Sequence, residues 1–138
     1  HIRLPRINSF FMIEHTVYGQ LPSMKNRRIL KVIKGRIMSF KNPEAQRYVK
    51  DFLKQIPGNL QVRYDTPVRL TALIFYKTKR PDLDESLLMD CLESSSIITN
   101  DRLIWDKQIL KYFDKHIPRV KFYVEKLTNK EISKHEGL

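Results

Sequence analysis

The sequence predicts a single α/β domain of the α+β kind, a mixed β-sheet with helices packed on it, and three observations predict it. Residues 67–76, PVRLTALIFY, are nearly all apolar towards their end, as a strand central in a sheet requires. Two segments with helical spacing, one beginning at Asn42 and one near residue 84, lie on either side of that run. A length of 138 residues, 41% apolar and 30% charged, suits one ordinary globular domain with its own core.

Along the chain, MIEHTVYG (12–19) alternates as a strand, and QLPSMKNRRIL (20–30) reads as a loop rich in donors and positive charge. Residues 29–40, ILKVIKGRIMSF, are rich in β-formers, with Gly35 at a turn. Asn42-Pro43-Glu44-Ala45 is a helix start, with Asn42 as the cap, Pro43 at the first helical position and Glu44 in the first turn. Tyr48, Val49, Phe52, Leu53 and Ile56 continue it, and Pro57-Gly58 stops it. After the strand 67–76 comes the basic loop KTKRP, then a helix from about 84 to 95. Leu83, Leu87, Leu88, Cys91, Leu92 and Ser95 share its apolar face; Ser86, Asp90 and Glu93 share the opposite, solvated one. Residues 103–113 fit a strand or a helix. RVKFYVEKL (119–127) alternates as a strand with one wet face, and the polar tail TNKEISKHEGL (128–138) is expected to fray.

Composition narrows the function. The single cysteine, Cys91, excludes an intrachain disulfide framework and a Cys-rich zinc site, and fits a reducing compartment. No apolar run approaches 18 residues, and HIRLPRINSFF lacks the apolar stretch of a secretory signal, so a cytoplasmic protein is expected. Met12 is a candidate natural start. The expected organisation is an extension over 1–11, a domain over 12–127 and a tail over 128–138. A net charge of +11 with a pI near 9.9 calls for an anionic partner, and aromatics interleaved with the charges favour nucleic acid. The plain alternative is a soluble protein with excess lysine.

The charge is unevenly placed. Residues 81–101, PDLDESLLMDCLESSSIITND, hold six of the 15 carboxylates (Asp82, Asp84, Glu85, Asp90, Glu93, Asp101) and none of the 26 Lys and Arg side chains. An acidic segment in a basic chain suits a polyanion-binding surface with its own divalent-cation site. In an extended segment residues two apart point the same way, so Asp82 and Asp84 can face one point. Mg²⁺ takes oxygen ligands, usually one or two carboxylates completed by water and phosphate, with Mn²⁺ as a possible substitute. Asp101, after the helix, could return to the same strand edge as a third ligand. Against this stands the ordinary role of an Asp before a helix, as a cap or partner of the helix dipole. Lys25, Arg27, Arg28, Lys31, Lys34, Arg36, Lys77, Lys79 and Arg80 are the candidate phosphate contacts. His15, His116 and His135 read as structural or solvated. Trp105 and Tyr112 could stack on unpaired bases, though packing is the favoured reading, and Cys91 reads as a small core residue.

Arg80-Pro81-Asp82-Leu83-Asp84, then a leucine-rich helix with Asp90-Cys91-Leu92, then Ile98-Thr99-Asn100-Asp101, resembles the RusA-type Holliday junction resolvases. Gln20-Leu21-Pro22-Ser23-Met24-Lys25-Asn26-Arg27 resembles that family's early segment, and the resemblance spans roughly 12–127. It implies a RusA-like homodimer that uses Mg²⁺ to cut four-way DNA junctions by paired nicks in recombination and repair, in a bacterial or phage-encoded setting. It implies Asp82, Asp84 and Asp101 as catalytic metal ligands. Three departures stand out: Glu85 replaces the family's Asn, Asn100 replaces the first acid of a D-D pair, and the helix lysine is absent. That role would pass to Lys79 or Lys107, or activity would fall. The alternatives are a weak or inactive junction- or nucleic-acid-binding protein on the same fold, and a metal nuclease for another branched DNA.

Overall fold

The computed structural model describes residues 12–23, 28–33 and 36–137, with the segments 28–33 and 36–41 described by their backbone. The expected extension 1–11 and the turn at Gly35 lie outside these residues. In chain order the elements are β1 (Met12–Tyr18), β2 (Arg28–Ile33), β3 (Arg36–Lys41), α1 (Pro43–Gln55), β4 (Val68–Tyr76), α2 (Ser86–Ser94), β5 (Ile104–Phe113), β6 (Arg119–Lys126) and α3 (Asn129–His135). Four of the strands form one mixed sheet in the order β1-β6-β4-β5. β4 pairs in parallel with β5 and antiparallel with β6, and β1 pairs antiparallel with β6. β2 and β3 form a separate antiparallel pair, Ile33 opposite Arg36. The domain is therefore α+β, as predicted.

Central placement explains why β4 is so apolar. Val68, Leu70, Ala72, Ile74 and Tyr76 form one face of it, none more than 2% exposed, and meet Val120, Phe122 and Val124 of β6. Against this face pack Ala45, Tyr48 and Phe52 of α1 and Leu87, Leu88, Cys91 and Leu92 of α2. The Phe52 ring stacks on Phe122 with centroids 5.9 Å apart. α1 starts as its sequence dictates: the Asn42 side chain accepts a 2.8 Å bond from the Glu44 N–H, with Pro43 in the first turn. His15 is structural, its Nε2 lying 2.7 Å from the Gln55 carbonyl oxygen.

Three expectations are resolved or corrected. The ambiguous segment 103–113 is strand β5. The tail expected to fray instead forms α3, opened by a reciprocal capping box. Thr128 Oγ1 accepts from the Glu131 N–H at 3.1 Å, and the Glu131 carboxylate accepts from the Thr128 N–H at 3.0 Å. Asp90 is half-buried where a solvated position was expected, while Glu93 is exposed. Among the described residues no helix is long and apolar enough to cross a membrane.

Candidate functional site

β4 ends at Tyr76, and three loops meet around that end of the sheet. The Asp114 N–H donates to the Tyr76 carbonyl at 2.8 Å, the Lys77 N–H to Gln20 Oε1 at 2.8 Å, and the Gly19 N–H to the Pro118 carbonyl at 2.9 Å. Gly19 leaves β1 at φ +111°, a conformation that suits glycine. The turn 114–118 is self-supporting. Arg119 donates to the Asp114 carboxylate at 2.8 Å and the backbone N–H groups of Ile117 and His116 donate as well, which holds that carboxyl below its usual range.

Residues 77–85 leave this end and fold back along β5. The Lys111 ammonium donates to the carbonyls of Lys79 (3.1 Å) and Pro81. Lys107 pairs with Glu85 at 2.7 Å. Lys111 lies opposite Ile74 and Lys107 opposite Leu70, so the loop retraces the strand towards its beginning. Beneath the loop, the Tyr76 hydroxyl donates to the Asp82 carbonyl at 3.2 Å and accepts from the Asp84 N–H at 3.3 Å. One buried phenol thus spans the whole Asp82-Leu83-Asp84 turn. Burial first, and then the Asp84, Glu85 and Asp82 carboxylates, push its ionisation up, so it stays a neutral donor.

The candidate carboxylates fall into two places. Asp82 is exposed and Asp84 half-buried, both on the anchored loop. Asp84 Oδ1 accepts from the Ser86 N–H at 3.0 Å and the Ser86 hydroxyl at 2.8 Å, so it caps α2 from two residues before its first turn. Asp101 opens the 3-10 turn before β5, and its N–H donates to Glu93 Oε1 at 2.8 Å, in the last turn of α2. Parallel pairing sets the start of β5 beside the start of β4, Ile104 opposite Val68. In sequence the nine residues of α2 lie between Asp84 and Asp101. Asp82 and Asp84 thus stand two residues apart on the loop before α2, and Asp101 follows the helix, beside its last turn. Among the described residues no three His, Cys, Asp or Glu side chains form a group able to hold a metal ion. Two carboxylates on one loop still suit Mg²⁺ in kind, because that ion commonly takes one or two carboxylates and completes its shell with water and phosphate.

Lys77, Lys79 and Arg80 are exposed on the same loop. Of the other candidate phosphate contacts, Lys25, Arg27 and Lys34 lie outside the described residues, and Arg28, Lys31 and Arg36 lie on β2 and β3. Sequence reasoning missed Tyr76 and Lys111, the two residues that shape the loop. Tyr76 showed one signal, a polar tip closing an otherwise apolar strand; Lys111 lay in the ambiguous segment. Glu85, unexplained from the sequence, is the partner of Lys107. Tyr112 stacks on Phe75 with centroids 5.1 Å apart, as the packing reading expects, whereas Trp105 is exposed and leans on His135 at 5.8 Å.

Fold and site together define a small α+β domain with a pinned acidic loop, framed by cations, at one end of a mixed sheet. No protein-family model matches the chain, and no curated protein matches it.

Proposed function

We propose that the protein is a Mg²⁺-dependent endodeoxyribonuclease for branched DNA, of the RusA-like kind that its sequence resembles, acting as a homodimer on four-way junctions. The observation that carries this reading is the Asp82–Asp84 loop, pinned from below by the Tyr76 hydroxyl and from the side by Lys111, with Lys77, Lys79 and Arg80 exposed on it. Asp82 and Asp84 would hold the cation, with Mn²⁺ able to substitute. When bound, such an ion lowers the pKa of a water and stabilises charge developing on the phosphate. The exposed cations bind the backbone on either side of the scissile bond and position it without reading sequence. Lys107 is engaged by Glu85, which leaves Lys79 as the cation to take the part of the family's helix lysine. Two-fold symmetry would match a dimer to a four-way junction.

A second reading has its own support. Asp84 caps α2 and Glu85 neutralises Lys107, so these acids have structural work in a nucleic-acid-binding protein that does not cut. Cleavage of a synthetic four-way junction in Mg²⁺ separates the two. The nuclease reading requires cutting by the wild type and none by Asp82→Asn. Asp101→Asn is a separate arm, because that residue follows α2 and is not on the loop: loss of cutting joins it to the site, and retained cutting removes it.

A further inference from the structure

Large apolar side chains are exposed at the same end of the sheet as the acidic loop: Tyr18 (57%), Phe113 (46%) and Ile117 (51%). Phe113 is the last residue of β5 and lies opposite Tyr76, so its ring stands at the root of the loop 77–85. The ammonium groups of Lys79 and Lys111 lie 5.9 and 5.7 Å from the ring centroid. The adjacent Tyr112 is already taken up by Phe75. A half-exposed ring with two ammonium groups over it at nearly 6 Å has the make-up of a surface on which a base stacks once those long side chains turn to its phosphates. Charge complementarity selects nucleic acid over a second copy of this chain. A symmetric contact through this patch would set a net-basic face, with Lys77, Lys79, Arg80 and Lys115 exposed beside Asp82, against a copy of itself.

We propose that Phe113 is a stacking platform for an unstacked DNA base, so that the site takes strands with bases out of the helix, at a branch point or in a single strand, in preference to continuous duplex. This rests on the reading that the loop 77–85 faces DNA, and it specifies which DNA. A base within a duplex has both faces covered by its neighbours and offers none to the ring.

The test is binding in EDTA, where cutting plays no part. The probes are a four-way junction and a single strand with 2-aminopurine at successive positions, and a plain duplex of equal length. Phe113→Ala is expected to lower affinity for the junction and the single strand by about 5- to 100-fold and to leave duplex affinity unchanged. Phe113→Trp is expected to retain affinity and to quench 2-aminopurine. Equal loss on all three DNAs, or no loss on any, overturns the platform while leaving the DNA-facing reading of the loop intact. Absence of binding by the wild-type protein overturns both. Dissociation of a dimer by Phe113→Ala with DNA binding unchanged assigns the ring to a second copy and likewise overturns the proposal.

Discussion

Where β4 begins, Arg69 is enclosed by Asp106 at 2.7 Å, Glu125 at 2.6 Å and Glu131, whereas where β4 ends, Lys111 bonds backbone carbonyls and Lys77, Lys79 and Arg80 stand in solvent. At the first end a cation is used up by the fold. Burial opposes the Arg69 charge, but bonds to Glu131, Asp106 and Glu125 outweigh it, and they tie α3 to the sheet face that α1 and α2 leave uncovered. At the second end the loop 77–85 is held by a neutral phenol and a lysine bound to backbone, with the Lys107–Glu85 and Arg119–Asp114 pairs beside it. Asp82, Lys77, Lys79 and Arg80 are exposed there. The loop is held chiefly through its backbone, whereas α3 is held through a carboxylate. The first arrangement suits binding and the second suits stability.

Breaking the closed end gives the largest effect. Arg69→Leu leaves three partly buried carboxylates without their cation and is expected to cost about 3 kcal/mol, a fall in Tm of roughly 10 °C, while DNA binding at the other end is unchanged. A fall in Tm within experimental error would show that the network does not pin α3. Loosening the open end gives the converse pattern. Tyr76→Phe removes both bonds to the Asp82–Asp84 turn and is expected to cost only about 1 kcal/mol. Mn²⁺ affinity by calorimetry is expected to fall about tenfold, as for partners that orient metal ligands. Unchanged Mn²⁺ affinity would remove the positioning role.

Acid separates the two ends more gently. The Thr128 N–H, and then Arg69, hold the Glu131 carboxyl down to about 2 from an ordinary 4.5. A carboxyl depressed in the folded state contributes stability that is complete above 4.5 and is lost as pH falls towards 2. Amide exchange in α3 is therefore expected to speed up below about pH 4 relative to β4. Glu131→Gln is expected to show that faster exchange already at neutral pH. A flat ratio of α3 to β4 exchange across the range would sink this linkage.

Much of the fold is legible in local chemistry. Asn42-Pro43-Glu44 names the start of α1 because cap, proline and first-turn acid all act within three residues. β4 is legible because a central strand must be apolar. β5 is not, because it is an edge strand whose Lys107 and Lys111 face the returning loop and blur the alternation. α3 was written in the sequence as Thr128-x-x-Glu131, yet a short polar helix held by an ion pair lacks the apolar stripe that marks a packed one. The site divides the same way. The spacing of Asp82 and Asp84 is local and legible; the position of Asp101 relative to them depends on the crossover through α2 to the start of β5. Tyr76 and Lys111 are brought to the loop only by tertiary structure.

The most direct measurement of the central claim is strand cutting of a labelled four-way junction in Mg²⁺, with wild type and Asp82→Asn compared at equal DNA occupancy. Paired nicks by the wild type, with background-level product from an Asp82→Asn protein that still binds the junction, are the expected result. Equal product from both proteins, or none from either under Mg²⁺ and Mn²⁺, would contradict the assignment of the pinned acidic loop as a nuclease centre.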